Sequence, residues 1–364
     1  MKKTHRAGRA GKASKMKSNY PSHTSHSKHH RKTVKQPRIP YKIREEKIII
    51  EKPMKKEKNM FEQVERRKDG SVRIAVLWFP GTNCEEESAR VARSVGMKAD
   101  ILRWNVDIAS LREYDGYILP GGWSYEDRIR AGVIASRDPV MDIIKAQADA
   151  GKPVLGICNG AQILVEKGMV PDTKHDIEMA LAPNHNPLVS GYYCSWVRIK
   201  VDNNRGAFTS AFKQHEVIEL PVAHGEGRFV TADNETKDKI RKDSLVAFRY
   251  CDEDGKIIEK FPTNPNGTYS NIAAVYNAKG NVLAIMPHPE RASWMKQLPG
   301  FFGSAKEGEL PAPGRKIFQS MKSYIEKSRE DAEKAEHDKR RLILAQQQAL
   351  ARHASSSASK KSGK

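Results

Sequence analysis

The sequence predicts an α/β fold, with a mostly parallel sheet covered by helices on both faces and extended on one side by antiparallel strands. Three observations predict it. Short apolar, β-branched runs alternate with amphipathic stretches between Val72 and Gly168, the pattern of successive βα units around a parallel sheet. One of these runs enters a helix through a Gly-x-Cys-x-Gly turn, Gly156 to Gly160. Beyond Gly168 the chain turns to strand-like runs separated by turn signals, which suits a mixed, partly antiparallel extension of the same sheet.

The folded region begins with Val72–Phe79, a buried strand by its length and β-branched content, broken by Pro80-Gly-Thr-Asn83. Glu85–Val95 reads as an amphipathic helix closed by Gly96. Ala99–Trp104 and Tyr114–Leu119 are the next strands, the second ending at Pro120-Gly121-Gly122. Pro139–Ala150 is a helix closed by Gly151, and the run Val154–Ile157 leads through Cys158 into the helical pattern Ala161–Glu166. Further strands are expected at Ser195–Val201, Val217–Val222, Leu245–Tyr250, Ile272–Tyr276 and Val282–Met286, the last two as a hairpin across Lys279-Gly280. Gly314–Ala349 is helical in pattern and leaves the core near Ser328; Ala354–Lys364 reads as a disordered Ser/Lys tail.

The charge is unevenly placed. The chain of 364 residues carries +20, of which residues 1–60 hold +15 and residues 326–364 hold +4, so the folded span is nearly neutral. Residues 1–40 are too poor in apolar side chains to offset chain entropy. Three regions follow: a basic, largely disordered extension (1–70), a catalytic domain (71–325) and a charged helical or disordered tail (326–364). Ile48-Ile-Ile50 is an apolar island in the extension, and Met60–Arg67 has weak helical potential. The basic head suits non-specific contact with nucleic-acid phosphates through residues 1–60. It contains only Tyr20 and Tyr41 as aromatics, which argues against base stacking.

The 4 cysteines are spaced for neither a zinc site nor a disulfide framework, so no metal is expected. No apolar run approaches the ~18 residues of a membrane span, and the N-terminus lacks the apolar core of a secretory signal. A reducing, cytoplasmic setting is the simplest reading.

The turn at Cys158 carries the chemistry. A sharp strand-to-helix turn needs small neighbours, which Gly156 and Gly160 supply, and it exposes the residue at its apex. A helix N-terminus favours a thiolate, the nucleophilic form. A lone cysteine is more often a buried structural thiol; the flanking glycines between strand and helix favour the nucleophile.

A thiol nucleophile needs a base, and the base an orienting partner. Of 12 histidines, His288 follows the strand Val282–Met286 between two prolines, with Glu290 two residues on. Cys158, His288 and Glu290 then form a nucleophile, base and orienter. His224, in Ala223-His-Gly-Glu-Gly227, is the rival; its glycines suit a flexible or close-approach loop, and His224 and Glu226 are assigned to a substrate-side or subunit contact. An oxyanion hole would take one N–H from Asn159 and another from Gly121-Gly122, where glycines let backbone face a ligand.

Together these segments resemble the class I (triad) glutamine amidotransferases, and within them the glutaminase subunits of phosphoribosylformylglycinamidine synthase. The pieces that carry the resemblance are Phe79-Pro-Gly-Thr-Asn-Cys84, Leu119-Pro-Gly-Gly-Trp-Ser-Tyr125, Arg130-Ala-Gly-Val-Ile-Ala135, Gly156-Ile-Cys-Asn-Gly-Ala-Gln162, Pro221-Val-Ala-His-Gly-Glu-Gly227, Asn264-Pro-Asn-Gly267 and Met286-Pro-His-Pro-Glu-Arg291. They run in the family's order over about Val72 to Lys322.

The resemblance implies a flavodoxin-like three-layer fold with a mostly parallel central sheet and an antiparallel extension. It implies that Cys158 attacks the side-chain amide of L-glutamine, that His288, oriented by Glu290, moves the protons, and that Gln162 contacts the substrate. The ammonia would pass to a separate synthetase subunit, accompanied by a small third subunit. ATP and Mg would belong to that synthetase, with no cofactor on this chain, where no Walker-type phosphate loop occurs. The sequence departs from the family pattern at Ala161 and Trp123, where a Phe is usual, and at Glu126, where a Gly is usual. Another class I amidotransferase, a cysteine hydrolase of similar fold, and a nucleic-acid-associated protein are the alternatives.

Overall fold

The computed structural model of the protein describes residues 70–187 and 191–359. The basic extension, with its apolar island and weak helix, lies outside the described residues. The elements are β1 (Arg73–Trp78), α1 (Glu85–Ser94), β2 (Lys98–Arg103), β3 (Gly116–Leu119), α2 (Pro139–Asp149), β4 (Val154–Ile157) and α3 (Asn159–Glu166). There follow β5 (Met179–Ala182), β6 (Tyr193–Val201), β7 (Val217–His224), β8 (Arg228–Thr231), α4 (Asn234–Lys242), β9 (Val246–Cys251), β10 (Ile272–Tyr276), β11 (Val282–Ile285), α5 (Ala305–Gly308) and α6 (Arg315–Ser359).

One sheet of nine strands runs in the order β2-β1-β3-β4-β11-β10-β9-β6-β7. From β2 to β11 the neighbours are parallel. From β11 to β7 they are antiparallel. The predicted hairpin forms between β10 and β11, and β11 then lies parallel to β4 with Val282 opposite Val154 and Ile285 opposite Ile157. That register decides the site, because the turn after β4 and the loop after β11 leave the same end of the sheet side by side.

The layers follow from strand alternation, which sends residues three apart to opposite faces. A Cβ on Gly116 of β3 would stand 2.7 Å from Met321 Cε of α6, whereas Leu119 of the same strand meets Gly160 of α3. Helices α6 and α3 therefore cover opposite faces of a sheet whose strands β3, β4, β10 and β11 are buried throughout.

The structure differs from the sequence reading in four places. A small second sheet pairs β5 with β8, and α4 forms over a stretch that buries only Thr236 and Ile240. Strand β7 runs on to His224, placing that residue at a strand end instead of in a loop. Helix α6 is unbroken to Ser359; its core-facing side chains end at Ile325, but strong helix formers such as Ala, Gln, Lys and Arg carry the backbone into the segment expected to be a disordered tail.

Candidate active site

Cys158 stands between β4 and α3 with φ +50° and ψ −105°, a backbone conformation that a non-glycine residue holds only where its surroundings impose it. What imposes it is close packing. A Cβ at Gly160 would lie 1.9 Å from Leu119 O, and one at Gly156 would lie 2.6 Å from Gly160 O. The Cys158 N–H donates to Ile285 O at 2.8 Å, tying the turn to β11. The thiol lies 3.6 Å from Ala223 O and is almost buried.

His288 reaches the same place from the loop after β11, its N–H donating to Pro221 O at 2.8 Å. Its Nδ1 is 2.6 Å from Glu290 Oε1, with both side chains buried. A carboxylate so placed holds the ring with Nδ1 protonated and Nε2 free to act. Nε2 is buried and makes no hydrogen bond in the resting arrangement; bonds of this kind often tighten only when substrate is present. Burial pulls the His288 pKa down, but the Glu290 carboxylate and the Cys158 and Cys84 thiols outweigh it and hold it well above the ordinary value.

Gly121 closes the third side. A Cβ there would stand 2.7 Å from His288 Cε1 and 3.5 Å from Cys158 Cβ. Gly122 bridges Thr82 through the flanking bonds Asn83 N–H to Gly121 O at 3.3 Å and Trp123 N–H to Gly81 O at 2.9 Å. The Gly122 N–H takes no part in that bridge, the arrangement an oxyanion donor needs.

A cavity of about 260 Å³ opens over these groups; Cys158, His288, Gln162, Glu226, Asp127 and Arg291 all line it. Gln162 commits its amide to the protein: Nε2 donates to Glu226 O at 2.7 Å and Oε1 accepts from Asn159 Nδ2 at 2.9 Å. Asn159 Nδ2 also donates to Asp127 Oδ1 at 3.1 Å, while its Oδ1 accepts the Ser124 N–H at 3.0 Å. The helix after the nucleophile thus holds two loops at the cavity wall.

His224 lines the cavity too, but not as a second base. Its Nδ1 faces an amide oxygen, Asn184 Oδ1 at 3.1 Å, and not a carboxylate. Burial, helped by the charge of His288, lowers its pKa to about 3. The close-approach role for the glycines holds, since a Cβ at Gly227 would lie 2.2 Å from His224 Cε1.

The sequence alone gives no role to several lining residues, Cys84, Asp127, Tyr192 and Arg291 among them. Cys84 and Arg291 fall within quoted motifs; Arg291 Nη2 donates to Cys84 Sγ at 3.2 Å and Nε to Glu87 Oε2 at 2.9 Å. Burial works against the Arg291 charge, and Glu87 and Cys84 more than offset it. Asp127 sits in the polar run Ser124-Tyr-Glu-Asp-Arg128, where nothing local marks its carboxylate. Tyr192 had no signal at all; it stacks on Trp123 at 6.0 Å and 28°, both partly exposed at the cavity's edge. Cys84, His288 and Glu290 bring possible ligand atoms within 4.8 Å of one another; two of the three are the His288–Glu290 pair, in contact at 2.6 Å.

Among the departures from the expected pattern, Ala161 is fully buried, and Glu126 takes φ +60° with its carboxylate 2.8 Å from Arg128. A glycine, the residue expected there, adopts that left-handed conformation without cost.

Residues 71–325 match the family described as a CobB/CobQ-like glutamine amidotransferase domain. The chain is 45% identical over 267 residues to phosphoribosylformylglycinamidine synthase subunit PurQ of Methanothrix thermoacetophila, covering 71% of this chain and 100% of that protein. It is 41% identical over 254 residues to the same subunit of Pyrococcus furiosus, covering 70% and 99%. Among solved structures it is similar to a chain of PurLQS from Thermotoga maritima, with a TM-score of 0.55 and 32% identity over 70% of this chain and 99% of that one.

Proposed function

The chain belongs to the CobB/CobQ-like glutamine amidotransferase family, and from that membership we infer that it is the glutaminase subunit of phosphoribosylformylglycinamidine synthase, at work in purine biosynthesis. The observation that carries the chemistry is the buried His288–Glu290 pair, whose Nε2 shares one cavity with a thiol on a strained turn. His288 accepts the Cys158 proton as sulfur attacks the side-chain carbonyl carbon of L-glutamine. The oxyanion is met by the N–H groups of Asn159 and Gly122. His288 returns the proton to nitrogen, the C–N bond breaks, and ammonia leaves a glutamyl thioester. Water, deprotonated by His288, attacks that thioester, and the C–S bond breaks to release glutamate and the free thiol.

The ammonia goes to a separate synthetase subunit, which brings the ATP and Mg and converts formylglycinamide ribonucleotide to the amidine; a small third subunit completes the assembly. The relatives' naming as subunits and the solved PurLQS structure support this arrangement. Cytoplasmic placement suits four free cysteines, and among the described residues no helix is long and apolar enough to cross a membrane. In the assembled complex, Cys158→Ala lowers glutamine-dependent ammonia release by roughly 10⁴-fold or more while ammonia-dependent synthesis continues. Retained glutamine hydrolysis in that variant would overturn the mechanism.

The net charge of +15 on residues 1–60 favours a second, separate activity, non-specific contact with RNA. It predicts that the full chain binds RNA with an affinity falling steeply with salt, and that a chain beginning at residue 70 does not. Equal binding by both chains rules it out.

A further inference from the structure

We propose that Cys84, Cys158 and Nε2 of His288 form a binding site for a thiophilic divalent cation of the zinc class, and that a cation held there blocks the nucleophile. The site stands on geometry alone; the block rests on the glutaminase reading of Cys158.

The three side chains come from distant parts of the chain and converge on one glycine. A Cβ added at Gly121 would stand 2.7 Å from His288 Cε1, 3.3 Å from Cys84 Sγ and 3.5 Å from Cys158 Cβ. The absent side chain leaves open the space between them. Cys84, Cys158 and His288 are all buried, and all three line the cavity. Cys84 Sγ, a ring nitrogen of His288 and a carboxylate oxygen of Glu290 lie within 4.8 Å of one another. Cys158 adds a second sulfur, near enough to His288 to act on its charge.

His288 is prepared as a ligand. A metal-bound imidazole donates its other N–H to a carboxylate, which fixes the tautomer and raises the basicity of the ligating nitrogen. Glu290 Oε1, 2.6 Å from Nδ1, is such a partner. Nε2 is then the nitrogen with the lone pair; it is buried and has no hydrogen-bond partner, in a side chain only 3% exposed. A catalytic base needs these same features, and the triad accounts for one thiol beside it. Cys84 is a second thiol, which no step of the hydrolysis uses.

The donor set decides the cation. Thiolates and imidazole select zinc or cadmium over magnesium and calcium, which take oxygen ligands. Three protein ligands leave a fourth tetrahedral position facing the cavity, for water. Binding exchanges a cation for protons: the two thiol protons leave, two metal–sulfur bonds and one metal–nitrogen bond form, and no electron moves. Bond lengths of roughly 2.3 Å to sulfur and 2.0–2.1 Å to nitrogen put the ligand atoms about 3.5–3.8 Å apart. Cys84 closes the remaining distance by turning about χ1, because its sulfur is held by two hydrogen bonds of 3.2 Å, to Asn83 Oδ1 and from Arg291 Nη2. The Arg291 charge, which opposes a cation, is offset by Glu87 at 2.9 Å.

The test uses the full chain with buffered zinc, and magnesium as the control cation. Iodoacetamide alkylation of Cys158 is read by mass spectrometry. Zinc is expected to suppress it, EDTA to restore it, and magnesium to leave it unchanged. Cadmium in place of zinc produces thiolate charge-transfer absorbance, which loses the share of one sulfur in Cys84→Ser. The zinc concentration that protects Cys158 rises by roughly 10–100-fold in Glu290→Gln, where only the ligand's support is lost, and by at least as much in Cys84→Ser. Alkylation without zinc shows that each variant keeps its turn. Histidines in residues 1–60 also take up zinc, but that span has no cysteine and moves neither readout. Cys158 alkylation untouched by zinc overturns the proposal, as does equal protection by magnesium, or protection of Cys84→Ser at the same zinc concentration. Glutamine hydrolysis by the assembled complex is followed over the same zinc range. Zinc that protects Cys158 while hydrolysis continues leaves the metal site standing and overturns the glutaminase reading of Cys158.

Discussion

At the scale of the residue, His288 and His224 show how the partner of one nitrogen decides what the other can do. Both line one cavity, each with a carboxylate residue two positions on. His288 has Glu290 on its Nδ1 and titrates high; His224 has an amide oxygen there and stays neutral. Glu290→Gln therefore lowers kcat for glutamine hydrolysis by roughly 10²–10⁴-fold with little change in KM, since the tautomer and the developing positive charge lose their support. The His224 shift also has a stability consequence. Its pKa is about 3 folded against about 6.5 unfolded, so between those values the unfolded chain binds the extra proton. Stability falls as pH drops through that window, by at most about 1.4 kcal/mol per pH unit from this group. His288, raised on folding, acts in the opposite sense: its contribution is present below about pH 6.5 and is lost as pH rises through its folded value. Denaturant midpoints should show His224→Gln losing less stability than the natural chain between pH 6.5 and 4.5.

At the scale of the element, the turn between β4 and α3 depends on two glycines for space. Gly160→Ala must push its new methyl into Leu119 O, so the thermal midpoint falls by an amount corresponding to at least about 1–3 kcal/mol, with Cys158 alkylation slowed as the turn relaxes. Gly151→Ala is a useful control for placement, because nothing lies within 4 Å of its Cβ; its φ of +97° makes it costly through backbone strain alone. The elements legible in advance were those whose burial leaves a periodic mark. Strands β4 and β10 match their predicted limits because both are apolar throughout and bounded by turn residues. Helix α4 left no such mark: it buries two side chains in nine, and its local signals are the cap from Asp233 to the Thr236 N–H and the charges at its ends, Glu235 in the first turn and Lys239, Arg241 and Lys242 in the last. Strands β5 and β8 are four residues each and gain their identity only from each other.

At the scale of the whole molecule, the charge and the chemistry occupy different parts of the chain. Apolar burial in α6 ends at Ile325, while Arg329 still bonds the Gly70 and Ser71 carbonyls near the start of β1. Ending the chain after Glu333 should therefore leave glutamine hydrolysis intact and the thermal midpoint within a few degrees, whereas ending it before Ile317 removes the layer over β3 and prevents folding; differential scanning calorimetry separates the two. The Gly-x-Cys-x-Gly turn, the pairing of His288 with Glu290 and the confinement of the charge to the chain's ends could be read from the sequence by itself, because each depends on near neighbours: glycines around a turn, a carboxylate two residues from an imidazole, lysines in a row. Tertiary structure alone decided which other groups join them. Cys84, Asp127, Tyr192 and Arg291 come from four separate loops; those after β1 and β3 reach Cys158 because these strands run parallel to β4 on one side of it, and the loop after β11 reaches it because β11 runs parallel to β4 on the other. That strand order is set by packing across the whole core, and no short stretch of residues contains it.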